Sequence, residues 1–150
     1  HNTIVDLIRN DLSKVARDVQ VTRFRYIDKI KTQKNEIYHT SSEIRGKLLK
    51  DWQKQLPELL LTMLPAGSIC GAPKEKTVSI IREVEEEKRG YYTGVFGYFD
   101  GENLDSAVNI RYLEKKQGQI LYRSGGGITF MSNLESEYNE LIEKIYVPVI

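Results

Sequence analysis

Near the end of this 150-residue chain, Glu137, Glu140 and Lys144 stand at i, i+3 and i+7. On a helix that spacing gathers both carboxylates and the ammonium on one face. Carboxylate oxygens are hard ligands, and Mg²⁺ commonly takes only one or two of them, completing its octahedron with water and an anionic substrate. The glutamates are thus enough for part of a magnesium site, although a solvated helix face carries charges in the same way.

A triple glycine, Gly125-Gly126-Gly127, precedes that segment. Without side chains, its N–H groups can approach an anion closely; the alternative is a flexible turn. Arg111, near the end of a predicted strand, could grip a carboxylate with two parallel hydrogen bonds, and Tyr92 on the neighbouring strand could add a third. Most strand arginines are only solvated. The stretch from Gly67 to Lys74 opens a helix whose N–H groups and dipole favour an anion, but the phosphate-loop spacing Gly-x-x-x-x-Gly-Lys-Ser/Thr is absent. His39, beside Ser41 and Ser42, could be a general base or donor, or a satisfied structural histidine. The cluster Arg23, Arg25, Lys29, Lys31 and Lys34 has no stacking aromatics beyond Phe24 and Tyr26, so a solvated strand edge accounts for it better than a phosphate-binding surface.

The elements that must position these residues are legible as changes of period. Ile4, Leu7, Ile8, Leu12 and Val15 recur at helical spacing from Thr3 to Ala16, with Asp6, Arg9, Asp11 and Lys14 outward. Val19 to Tyr26 and Ile37 to Ile44 alternate as strands around a polar turn, Lys31 to Asn35. Leu48 to Leu64 reads as a helix broken at Pro57, followed by a loop through Pro65 and Gly71. Pro73 suits the first turn of a helix that runs to about Lys88 and stops at Gly90. From Tyr91 the period becomes two, and turns at Asp100 to Asn103 and at Lys115 to Gly118 give three successive antiparallel strands, the second running through Ile110 to Leu113. Ser132-Asn133-Leu134-Glu135 has capping-box spacing and opens a last helix reaching about Tyr146, before Pro148.

Composition narrows the function classes. The chain is 40% hydrophobic, enough for one core, and 22 Lys+Arg against 21 Asp+Glu leave a net charge of +1, too balanced for a general nucleic-acid partner. The single cysteine, Cys70, cannot pair internally and fits a cytoplasmic setting. No apolar run approaches the ~20 residues of a membrane span.

Four blocks resemble, in order, the signatures of the chorismate-binding enzymes: Ile4 to Leu12 (IVDLIRNDL), Pro65 to Lys74 (PAGSICGAPK), Arg89 to Tyr92 (RGYY) and Gly125 to Ile128 (GGGI). That family includes component I of anthranilate synthase and of aminodeoxychorismate synthase, with the isochorismate and salicylate synthases. The resemblance implies an α+β fold, a mostly antiparallel sheet flanked by helices, with residues 1–150 as the C-terminal portion of a two-layer catalytic domain. It implies Mg²⁺ bridging enzyme glutamates and the ring carboxylate of chorismate. Glu140 matches a metal-ligand glutamate and Glu137 its companion. Arg111 and Tyr92 match the pair on the enolpyruvyl carboxylate, Ser68 a hydroxyl facing the ring, and Gly125 and Gly127 backbone donors. His39 matches the active-site histidine and Lys144 a lysine near the substrate carboxylates.

The implied partners are chorismate and a glutamine amidotransferase subunit that supplies ammonia. Gly71-Ala72-Pro73-Lys74 is more similar to the amine-adding members, and Ser68 leans toward aminodeoxychorismate synthase, with anthranilate synthase as the alternative. The family's other acidic metal pair lies before the Ile4 block, so the expectation is that an N-terminal portion is missing and that the 150 residues alone are inactive. A non-catalytic fragment that binds ligand or partner is a reading from a different class.

Overall fold

The computed structural model describes residues 1–31 and 36–147. The chain forms two compact units, one ending at Lys88 and the other beginning at Arg89.

In the first unit, α1 (Asn2–Ser13) leads into a long antiparallel ribbon of β1 (Ala16–Lys31) and β2 (Glu36–Leu48). The helix forms as its period requires, yet it buries Val5 and Asp11, so Asp11 faces inward and not outward as its charge led us to expect. Register shifts interrupt the ribbon between Arg17 and Tyr26, where Asp18 and Arg25 take positive φ; such bulges bend and twist a strand pair. The two strands pack tightly at the base of the ribbon, where a Cβ added to Gly46 would lie 2.9 Å from Ala16 Cβ and 3.0 Å from Val19 Cγ2 of β1, and 3.4 Å from Leu12 Cδ2 of α1. Of the expected turn, Lys31 to Asn35, Lys31 is the last residue of β1, while residues 32–35, with Lys34 of the basic cluster, lie outside the described residues. Of the rest of that cluster, the Arg23 guanidinium stacks on the Tyr26 ring at 3.6 Å and Lys29 pairs with Glu36 at 2.6 Å, as on a solvated ribbon.

A 3₁₀ turn, Trp52–Gln55, then precedes α2 (Leu56–Met63), and Pro57 sits in the first turn of α2. The proline therefore starts a helix instead of breaking one, consistent with its preset φ and missing donor. The expected loop contains a short helix, α3 (Gly67–Cys70), before α4 (Lys74–Val84), with Pro73 at the N-cap. The helix α4 ends short of Lys88, and Glu85 is extended. Glu85, Glu86 and Glu87 would set negative charge against the negative end of the helix dipole. Gly90, with φ 58°, serves the following turn and not a helix stop.

The second unit holds two separate hairpins, β3 (Val95–Phe99) with β4 (Leu104–Val108), and β5 (Tyr112–Lys116) with β6 (Gln119–Arg123), followed by α5 (Leu134–Glu143). The expected three successive strands are thus four. The long second strand divides at Arg111, whose φ of 53° takes the backbone out of the extended region. Tyr92 likewise lies in a turn before β3, where Thr93 has φ 64°. The cap of α5 is Asn133, whose side chain accepts the Ser136 N–H at 3.1 Å, in place of the expected Ser132. The helix stops at Glu143, short of Tyr146, and Pro148 lies outside the described residues.

The described residues are therefore α+β, with helices and three two-stranded antiparallel ribbons in place of one continuous sheet. Among the described residues only Val5 and Cys70 are buried hydrophobic ones, while Ile27, Tyr38 and Tyr98 are at least two-thirds exposed. Two-stranded ribbons are marginal alone and need a covered apolar face. Among the described residues, no helix is long and apolar enough to cross a membrane.

Candidate functional site

The second unit collects most of the sequence-selected residues. The turn carrying Tyr92 is sewn to the end of β4 by backbone bonds from Thr93 N–H to Asn109 O, 2.9 Å, and from Asn109 N–H to Gly94 O, 2.8 Å. The Asn109 side chain adds a 3.1 Å bond to Tyr91 O. The turn carrying Tyr92 is thereby joined to Asn109, two residues before Arg111, and neither Tyr92 nor Arg111 lies on a strand. The Tyr92 hydroxyl rests directly on Gly125: a Cβ there would collide with it and approach the ring Cζ to 3.1 Å. Gly125 is required by this contact, whereas a Cβ on Gly127 would meet nothing within 4 Å.

The next glycine faces the acidic helix, since a Cβ on Gly126 would lie 3.6 Å from Glu137 Oε2. The other oxygen of that carboxylate, Oε1, accepts the Ser132 hydroxyl at 2.5 Å, and Ser132 Oγ in turn accepts the Thr129 N–H at 3.0 Å. Glu137 is thus half-buried with one oxygen anchored and the other turned toward the glycines. One turn later, Glu140 is ion-paired with Lys144. The hydrogen bond from Lys144 and then its charge, with help from the Arg111 guanidinium, hold the Glu140 carboxyl below the ordinary carboxylate range. The C-terminal end of α5 is tied to β6 by the Tyr122 hydroxyl, which donates to Lys144 O at 3.1 Å. Tyr92, Gly125, Gly126 and Glu137 are therefore joined by contact, and Glu140, Lys144 and Arg111 by charge.

Chemically, this is a patch with two carboxyl groups one helical turn apart, an ammonium, a guanidinium and exposed glycine backbone. Its oxygen donors suit a cation that keeps most of its waters, as Mg²⁺ does. Among the described residues, no three His, Cys, Asp or Glu side chains group as a fuller metal cage.

The first unit carries the other two selected residues. His39 is exposed on β2, opposite Asp28 in the ribbon register, with its Nδ1 3.1 Å from Ser41 Oγ. Ser68 is exposed on α3, between the buried Gly67 and Cys70. The Gly67 N–H that marks the start of α3 is already occupied, at 3.2 Å, by the Oδ2 of Asp11. The anion that this loop holds is internal. Asp11 also accepts Lys74 Nζ at 2.7 Å and Lys14 Nζ at 2.9 Å. Sequence reasoning gives Asp11 an outward position, Ser132 a helix-capping role and Lys74 no role of its own, so none of the three is expected at these contacts. Only the i, i+3 spacing of Asp11 and Lys14 and the presence of both Asp11 and Lys74 in quoted blocks pointed their way.

The profile of the family described as chorismate binding enzyme matches residues 1–149. The chain belongs to the chorismate binding enzyme family. It is 62% identical over 149 residues to an uncharacterized PabA-like protein of Pasteurella multocida, a match that covers 99% of this chain and 46% of that relative. It is 36% identical to anthranilate synthase component 1 of Acetivibrio thermocellus, over 96% of this chain and 28% of that protein. It is also 36% identical to aminodeoxychorismate synthase component 1 of Bacillus subtilis, over 97% of this chain and 30% of that protein. The chain thus spans under half the length of these relatives.

Proposed function

We propose that the full-length protein containing this chain aminates chorismate to 4-amino-4-deoxychorismate, using Mg²⁺ and ammonia from a glutamine amidotransferase subunit, in a cytoplasmic setting. The chain would form part of the two-layer catalytic domain. The observation that carries the reading is the joining of Tyr92, Gly125 and Glu137 in one patch whose flank holds Arg111, Glu140 and Lys144. Chorismate is a dianion, and a site for it needs cationic groups and backbone donors to offset two carboxylates.

In this reading Glu140 is a metal-ligand carboxylate and Glu137 its companion, oriented by the Ser132 hydroxyl. When bound, Mg²⁺ would serve as Lewis acid and template at the ring carboxylate. Arg111 binds the enolpyruvyl carboxylate with Tyr92 beside it, and the Gly125 and Gly127 N–H groups supply neutral donors. Lys144 neutralises Glu140 and lies within reach of a substrate carboxylate. We assign Ser68 a hydroxyl facing the ring and His39 a proton-handling role, both on the family resemblance.

The alternative within the family is the anthranilate synthase reaction, favoured by an identity to that relative, 36%, equal to the identity to the aminodeoxychorismate synthase. The PabA-like description of the 62% relative supports the first reading, as do Ser68 and Gly71-Ala72-Pro73-Lys74. The test is the product. Full-length protein given chorismate, Mg²⁺ and ammonia is expected to accumulate aminodeoxychorismate without releasing pyruvate. Fluorescent anthranilate with pyruvate would overturn the assignment.

A further inference from the structure

We propose that Asp11 and Lys74 are positioning residues that hold Ser68 in place by clamping the loop between Met63 and Lys74; their effect on catalysis rests on the chorismate reading given above. The loop has little order of its own, since α3 is 4 residues long. One buried carboxylate supplies what it lacks. Asp11, 7% exposed, receives the Lys74 Nζ on Oδ1 at 2.7 Å and the Gly67 N–H on Oδ2 at 3.2 Å. The same Nζ donates to Met63 O at 3.3 Å. Lys74 thus ties the two ends of the loop together, and Asp11 ties Lys74 and the Gly67 N–H to α1.

The fit is close as well as polar. A Cβ on Gly67 would stand 3.0 Å from Asp11 Oδ2 and 3.1 Å from Leu7 Cβ, so the start of α3 lies against α1 with no room for a larger residue. At the other end of α3, the buried Cys70 thiol points to Ala66 O at 3.4 Å. Ser68 is the exposed residue between these two fixed points. An exposed hydroxyl on a turn anchored at both sides has a defined direction, which is what a group that orients a substrate requires. A pair whose side chains are only 23% and 10% exposed differs from a surface ion pair, which contributes little.

Two measurements on the full-length protein test the proposal. Lys74→Met is expected to speed amide exchange at residues 67–71 by about ten- to a hundredfold, the loss of a charged hydrogen bond, while β1 and β2 keep their protection. Unchanged exchange, or equal acceleration everywhere, would overturn the clamp. The second measurement is a double-mutant cycle on kcat/KM for chorismate. Lys74→Met should cost roughly tenfold alone and little when Ser68→Ala is already present, because the two act through one group. Additive losses would overturn the positioning role. A wild type that binds and turns over no chorismate would instead sink the functional reading, leaving exchange to decide the clamp. Should Lys74→Met fail to fold, Asp11→Asn, which keeps an acceptor and drops the charge, is read by the same measurements.

Discussion

The Nζ of Lys74 lies 2.7 Å from the Oδ1 of Asp11, 63 residues earlier in the chain. Burial pushes the Asp11 carboxyl up, but hydrogen bonds from Lys74 and then Lys14, with the charges of both, outweigh it and hold the carboxyl below its ordinary value of 3.8. A carboxyl depressed in the folded state contributes stability that is fully present above its unfolded value and is lost as pH falls through the lower folded value. Lys74→Met is therefore expected to lower the unfolding free energy by about 3 kcal/mol near neutral pH. The gap from wild type should close below roughly pH 4. Urea melts across this range check it, and a gap that does not change with pH would show that the Asp11 charge is not its source.

Gly125 and Tyr92 give a steric prediction. Because a Cβ on Gly125 meets the Tyr92 hydroxyl and sits 3.1 Å from Cζ, Gly125→Ala should destabilise by about 1–3 kcal/mol through overpacking. Gly127→Ala, with open space around it, should stay within about 0.5 kcal/mol. Tyr92→Phe in the Gly125→Ala background should recover part of the loss, since it removes the colliding oxygen. Thermal melts of the variants and the double variant decide this.

At the foot of the ribbon, Gly46→Ala would place a Cβ 2.9 Å from Ala16 Cβ and 3.0 Å from Val19 Cγ2. Both neighbours are short side chains of β1, fixed close to its backbone, so β2 must shift away from β1. A loss of about 1–3 kcal/mol is expected in chemical denaturation. An unchanged midpoint would mean that the packing of β1 against β2 at Gly46 is looser than described.

These relationships were unequally legible. The helical period of Ile4, Leu7 and Leu12 located α1, and alternation located β1 and β2, because burial of one face leaves a periodic trace. Asp11 escaped because an ionisable residue is placed outside by default, and the partner that permits its burial is 63 residues away. The split of the expected second strand into β4 and β5 turns on the left-handed backbone of Arg111, a residue type with no preference for that region. In the patch, the residue types were readable while their contacts were not. Gly125 reads as a possible anion cradle from sequence, and its packing under Tyr92 depends on a turn held by Asn109.

Ser132 orients Glu137 through a 2.5 Å hydrogen bond to Oε1. If Glu137 assists a metal, losing that bond should weaken Mg²⁺ binding by roughly 10- to 100-fold, the usual cost of removing a partner that orients a metal ligand. Ser132→Ala in the full-length protein, titrated with Mg²⁺ in the presence of chorismate, checks this. Ser132→Thr, which keeps a hydroxyl, should retain most of the affinity.

The central claim is that Glu140 serves a magnesium-dependent chorismate site. Its most direct test is calorimetry of the full-length protein with chorismate, with and without Mg²⁺, in wild type and Glu140→Ala. Mg²⁺ is expected to strengthen chorismate binding in wild type, and the substitution to remove this enhancement while the protein stays folded. An enhancement of equal size in Glu140→Ala would contradict it.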